Sequence, residues 1–314
     1  MKNPIVDGDE AEEIDNAVSR VLSEFRGLEP PLDLDAVRAR LNLDREYYSS
    51  RDPGHLRQVV HALKVGAKQV IANPMLVADA IKSFDLRALF FADQKKILID
   101  RELPKLKHRW AEGHEIGHSL AWWHKDFLLG DSETELSPAC HATIEAEANY
   151  ACGQLLFLQN RFVEEAMDMP VSMATIKQLK TTFDNTWTST LWRYVEDYRG
   201  PEPMVGIVCP HPRRLPEGFD RAKPCRYVVQ SRQFREKFSN VSELALFELI
   251  SSYVGGQRGG RLGGKEVLLT DDNGIAHSFD FETHSNTYEA LTLATGQRPS
   301  VSRHFDVSAS ASMT

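Results

Sequence analysis

His114 and His118 stand one helical turn apart with Glu115 between them, an H-E-x-x-H pattern. On a helix this spacing stacks the two imidazoles on one face, where a nitrogen of each reaches a single metal ion at ~2.0–2.1 Å. Glu115, one residue round, is placed to work as a general base on a water at that ion. The pattern needs a helix, and the residues around it read as one: Ile116, Leu120, Trp123 and Phe127 make an apolar stripe. Two histidines leave a catalytic zinc one protein ligand short, since such sites use three and keep a fourth position open.

Glu145 is the candidate third ligand. It lies along the edge of a second apolar stripe, Ile144, Ala148, Ala151 and Leu155. Asn149, one turn further on the same face, is suited to hydrogen-bond a ligand imidazole. Two rivals stay open. His124 completes the spacing H-E-x-x-H-x-x-G-x-x-H, but Ala121 occupies the glycine position at which that chain turns out of its helix. Glu147 points about two residues of rotation away from Glu145 and reads as solvated or paired with a base; a shift of helix phase would exchange the two. The donor types favour Zn2+, although iron and manganese also accept two histidines and a carboxylate. Stabilisation of an oxyanion needs a further donor, for which His211, Tyr150, Tyr194 and Arg193 are candidates.

The region from about residue 30 to 195 resembles the ImmA/IrrE family of zinc metallopeptidases. The features that carry the likeness are the H-E-x-x-H pattern, the segment Glu145-Ala146-Glu147-Ala148-Asn149 and the basic lead Lys107-His108-Arg109-Trp110. Pro31-Leu32-Asp33-Leu34, the apolar run at 96–100 and the turn into a last helix at 182–193 add to it. The resemblance implies a zincin-like fold, His114, His118 and Glu145 as zinc ligands and Glu115 as general base. It also implies a protein substrate, a repressor-type transcription regulator cut in a stress or mobile-element switch. Trp110–Gly113 and Leu156–Gln159 depart from the family pattern and alter the expected subsites, not the ligand positions.

Several elements must hold these residues. The pattern predicts a capping amphipathic helix over 8–26, a short helix from 32 to 43 and a helix from His55 to Val70. A hairpin with strands at 87–91 and 96–100 follows. Its exposed edge is expected to take substrate as an added strand. The motif helix begins near Pro104 and runs to about Trp123. Further helices are expected at 139–160, 172–182 and 187–198. The texture changes at Arg199-Gly200-Pro201-Glu202-Pro203, and short β-rich runs follow at 205–208 and 227–229, with a helix at 242–253 and a hairpin of 266–270 with 275–281. The expected architecture is α+β: a mainly helical metallopeptidase domain with a small sheet over 1–199, an accessory α+β domain over 200–298 for sensing or docking, and a flexible serine-rich tail over 299–314.

Composition narrows the function classes. The 314 residues are 42% hydrophobic and 26% charged, with a formal net charge of -8. That is a globular composition, and its acidic balance does not support direct nucleic-acid binding. No run approaches the roughly 18 apolar residues of a membrane span, and Cys140, Cys152, Cys209 and Cys225 are too scattered for a disulfide framework. A cytoplasmic location with reduced thiols is expected. The glycine-rich run at 255–265 imitates a phosphate loop, but Glu266 stands where magnesium needs Ser or Thr, and the run reads as a flexible connector. The leading expectation is a zinc endopeptidase acting on a specific protein. The alternative is a metal-stabilised sensor or binding module that regulates a partner without proteolysis.

Overall fold

The computed structural model describes residues 6–49, 51–52, 88–92, 95–124 and 138–297. The helix expected over 55–70 and the tail over 299–314 lie outside the described residues. The chain divides into two compact units, Met1–Asp197 and Tyr198–Thr314. The whole is a mixed α+β protein; among the described residues there are nine helices and two sheets.

In the first unit, α1 (Gly8–Ser23) opens at Asp7, whose carboxylate accepts the Asp9 N–H, and buries Ile14, Val18 and Val21 along one stripe. The helix α2 (Leu34–Leu41) is capped by Asp33 and stops at Asn42, which takes the left-handed conformation at φ 55°. The strand β1 (Asp44–Tyr48) follows, an element the sequence pattern does not announce. It pairs in parallel with β3 (Lys96–Asp100), which pairs antiparallel with β2 (Ala88–Phe91) on its other side. The sheet order is therefore β1-β3-β2. Ile97, Leu98 and Ile99 are wholly buried, as a central strand covered on both faces requires. Among the described residues, β2 is the strand of the expected hairpin at an edge of this sheet, and β3 has a partner on each side.

The helix α3 (Lys105–Leu120) carries the H-E-x-x-H pattern and packs on the sheet, on α1 and on α4 (Pro138–Leu156). It ends three residues earlier than expected. Ala121 is extended at φ -82° and ψ 91°, so the chain leaves the helix here without needing a glycine. Gly113 and Gly117 set the approach of α3 to α4. A Cβ on Gly113 would meet Cys152 Sγ at 2.9 Å, and one on Gly117 would meet the Ala148 carbonyl oxygen at 2.6 Å. Past Leu156 the chain breaks, with Leu158 and Gln159 both at positive φ, before α5 (Asn160–Met167). The helix expected over 139–160 therefore ends four residues early, and the short helix after it is one that the sequence pattern does not announce. Gln159 bridges back to α1, donating to the Asp15 carbonyl and accepting from Ser19 Oγ. Ser172 and Thr186 cap α6 (Met173–Thr182) and α7 (Trp187–Glu196), and Phe157, Phe162 and Phe183 cluster beneath them.

The second unit is one antiparallel sheet in the order β5-β4-β8-β7-β6. Its strands are β4 (Met204–Pro210), β5 (Tyr227–Gln230), β6 (Gly260–Thr270), β7 (Ala276–Ser285) and β8 (Glu289–Gly296). Helices α8 (Arg232–Lys237) and α9 (Glu243–Tyr253) supply Phe234, Phe238, Leu246 and Ile250 to a core shared with Val205, Ile207, Phe279 and Phe281. The glycine-rich run is not a connector: from Gly260 it is strand β6, bulged between Arg261 and Gly263. Gly263 is required there, because a Cβ would meet the Tyr253 carbonyl oxygen at 3.0 Å. Cys152, Cys209 and Cys225 are buried free thiols, and no helix among the described residues is long and apolar enough to cross a membrane.

Candidate metal centre

Helix α3 sets His114 and His118 on the face turned to α4, and α4 sets Glu145 against them. One ligand atom from each of the three lies within 4.8 Å of the others. The Nε2 atoms of His114 and His118 are 3.2 Å apart. His114 Nε2 is 3.2 Å from Glu145 Oε2, and His118 Nε2 is 3.5 Å from Glu145 Oε1. A tetrahedral ion with ligands at ~2.0–2.1 Å sets its donors about 3.3–3.4 Å apart. The separation of the two imidazole nitrogens is close to that edge length, each of them has a Glu145 oxygen at a comparable distance, and donors of these types suit zinc, so the residues present fit that ion.

The remaining ring nitrogens explain the convergence. His114 Nδ1 lies 3.1 Å from Asn149 Oδ1, an acceptor, and so donates to it. That leaves Nε2 as the atom with a free lone pair facing the cluster. His118 Nδ1 is 3.0 Å from Nδ1 of His124. Two imidazole lone pairs and a carboxylate so close repel one another unless a proton or a metal ion lies among them.

Burial and charge set the protonation of the group. Burial pulls His118 down to about 4, opposed by its contact with Glu145, so it is neutral at physiological pH. Burial also pulls on His114, but Glu145, Glu115 and Asn149 outweigh it and hold the ring above its ordinary value. Burial would raise Glu145; the two histidines overcome it and keep the carboxylate well below the usual range. Glu115 is pushed up to about 7, mainly by burial, with His114 opposing. Its side chain is only 5% exposed. The cluster is open on the other side, where Asn149 is exposed and Glu145 partly so.

Neither rival third ligand joins the group of three. His124 is buried and sits behind His118, with Nε2 2.8 Å from Glu147 Oε2. Of its two expected states, solvated or paired with a base, Glu147 takes the second: it is 5% exposed, pairs with His124 and accepts from Trp123 Nε1 at 2.6 Å as well. The sequence pattern misses this contact because it depends on the chain turning at Ala121. Among the oxyanion candidates, Tyr150 bonds Asp15, Arg193 bonds Gln154 and pairs with Asp197, and Tyr194 is buried. His211 belongs to the second unit, where it contacts the Gln257 carbonyl.

No protein-family model matches the chain, and no functionally curated protein matches it. Among solved structures, a Mycobacterium tuberculosis transcriptional regulator is similar, with a TM-score of 0.50 and 10% sequence identity over 93% of this chain and 76% of that one. At that identity the likeness concerns the fold alone.

Proposed function

We propose that the chain is a zinc-dependent endopeptidase with a zincin-like catalytic unit of the ImmA/IrrE type. It acts in the cytoplasm on a specific protein, a repressor-type transcription regulator. The observation that supports this reading is the convergence of His114 Nε2, His118 Nε2 and the Glu145 carboxylate within 4.8 Å of one another, with the buried Glu115 on the same helix as the two histidines. His114, His118 and Glu145 would hold the ion. When bound, zinc polarises a peptide carbonyl and acidifies water, the two things peptide hydrolysis at neutral pH lacks.

The side chains do the rest. Glu115 takes the proton from the attacking water and returns it to the leaving amine, a role that its low exposure strengthens by excluding bulk solvent. Asn149 holds the His114 ring by its Nδ1–H. The side open at Glu145 and Asn149 is where a peptide reaches the site, and the second unit supplies the docking or sensing surface.

Elemental analysis of the purified protein beside Glu145→Gln tests the ligand set. Near-stoichiometric zinc that is lost in Glu145→Gln is the expected outcome; a wild type that never holds metal ends the reading. Glu115→Gln separates the peptidase from a metal-stabilised binding module. It should keep its zinc and lose about 10²- to 10⁴-fold in cleavage rate, whereas regulation by contact alone would survive the change.

A further inference from the structure

A chain of hydrogen bonds runs from the metal-site face into the interior: His118 Nδ1 to His124 Nδ1 at 3.0 Å, His124 Nε2 to Glu147 Oε2 at 2.8 Å, and Trp123 Nε1 to the same oxygen at 2.6 Å. The direction of each bond can be worked out from its far end. An indole N–H only donates, so Glu147 Oε2 is an acceptor, and the carboxylate also receives the proton on His124 Nε2. A neutral His124 protonated at Nε2 has a bare Nδ1, which must accept. The proton between the two rings therefore belongs to His118 Nδ1, and His118 Nε2 carries the free lone pair.

We infer that Glu147, acting through His124 and held in place by Trp123, is a positioning residue that fixes His118 in the tautomer whose bare Nε2 faces His114 and Glu145. The proposal rests on the metal-site reading for its purpose and on the hydrogen-bond chain alone for its geometry. Burial gives the relay its force. His124 is wholly buried, Glu147 is 5% exposed and His118 3% exposed, so water is excluded from replacing any member. Asn149 performs the matching task for His114 from the open side. The two glutamates of the Glu145-Ala146-Glu147 segment thus have separate duties, one at the cluster and one behind it.

The His124 position also explains why α3 stops at Leu120. A helix continued through Trp123 would carry residue 124 past the cluster. The extended Ala121 and the turn closed by His124 N–H to the Ala121 carbonyl at 2.9 Å bring the ring back beside His118, with centroids 5.1 Å apart.

The test combines two readings on the full chain. Two-bond 1H–15N correlation spectra of the metal-free protein at neutral pH should show the proton on Nδ1 of His118 and on Nε2 of His124; the opposite pattern overturns the proposal. Chelator competition should show zinc bound about 10- to 100-fold more weakly by Glu147→Gln, whose spectrum should show a mixture of His118 tautomers. Unchanged affinity in a folded Glu147→Gln also overturns it. Should that variant fail to fold, Trp123→Phe removes one of the two bonds to Glu147 and should weaken zinc severalfold; no change there counts against the relay. A wild type with the expected tautomers but no zinc supports the relay and sinks the peptidase reading. Zinc binding with His118 protonated on Nε2 does the reverse.

Discussion

At the residue scale, solvent exposure separates two side chains that do the same kind of work. Asn149 and Glu147 each hold, directly or through His124, the far nitrogen of one histidine, but Asn149 is exposed and Glu147 is buried. Water can take the place of the Asn149 oxygen, at small cost, because a bridging water is nearly as good a partner as the direct one. Asn149→Ala should therefore weaken zinc by less than about tenfold, below the roughly 10- to 100-fold range for loss of a buried outer partner. Isothermal titration with zinc on the two single variants measures the gap, and an Asn149→Ala loss larger than that of Glu147→Gln would show that exposure does not rank these contacts. Helical period made the pairing of His114 with His118 legible and put Glu145 on the edge of a buried stripe, but it left His124 and Glu147 open as the third member, and only the family resemblance chose among them. The role of Glu147 was not legible, since it depends on a partner that reaches it only after the chain has left α3.

At the element scale, the glycines of α3 decide whether the two halves of the site meet. Gly117 lies between His114 and His118 and faces the Ala148 carbonyl, a backbone atom that cannot rotate away from an added methyl. Gly117→Ala should cost about 1–3 kcal/mol by overpacking. It should also push α4 outward, carrying Glu145 off its 3.2 and 3.5 Å contacts. Thermal unfolding and zinc affinity should fall together; lost stability with unchanged zinc binding would mean that the strain is absorbed elsewhere. Sequence pattern gives these helices their faces but not their separation, which is set by residues far apart in the chain.

The turn that joins β6 to β7 makes a pH-dependent contribution of the opposite kind from a buried carboxylic acid. Asp271 accepts the Ile275 N–H at 2.8 Å, His277 Nε2 at 2.9 Å and the Asn273 N–H at 2.9 Å. The Ile275 bond, then His277, holds the carboxyl below its ordinary value; Asp272 beside it is likewise lowered, by the Ser239 and Asn240 N–H groups. A folded-state value below the unfolded ~3.9 means that this stabilisation is complete above that pH and disappears as pH falls through the folded value. Urea midpoints of wild type and Asp271→Asn should thus differ most near neutral pH and converge as pH falls below the folded value. A difference that persists into acid would assign the effect to turn geometry and not to charge.

On the scale of the whole molecule, each unit buries a core of its own, and all residues of the candidate metal centre lie in the first. That unit encloses Ile14, Val18, Leu155, Phe157 and Phe183, while the second encloses Ile207, Phe234, Ile250 and Phe279. The α+β class was legible from the change to short apolar runs after residue 200. The extent of the second sheet was not: the glycines of 255–264 read as breakers, yet antiparallel pairing with β7 holds Gly260–Thr270 extended, and the bulge at Arg261/Gly263 absorbs the irregularity. A ligand stabilises only the structure that forms its site. Zinc at about a hundred times its dissociation constant adds about 2.7 kcal/mol to whatever opening reaction destroys that site. In α3 and α4 the amides must open by a route that separates Glu145 from the histidines, so that free energy should slow their hydrogen exchange roughly a hundredfold on zinc addition. Amides of β4, β7 and β8 open through their own core and should exchange at the same rate with and without zinc. Exchange followed by mass spectrometry on the full chain resolves the two sets. Protection spread evenly over both would make the units a single cooperative structure, and protection confined to the second would place the metal outside the cluster on α3 and α4.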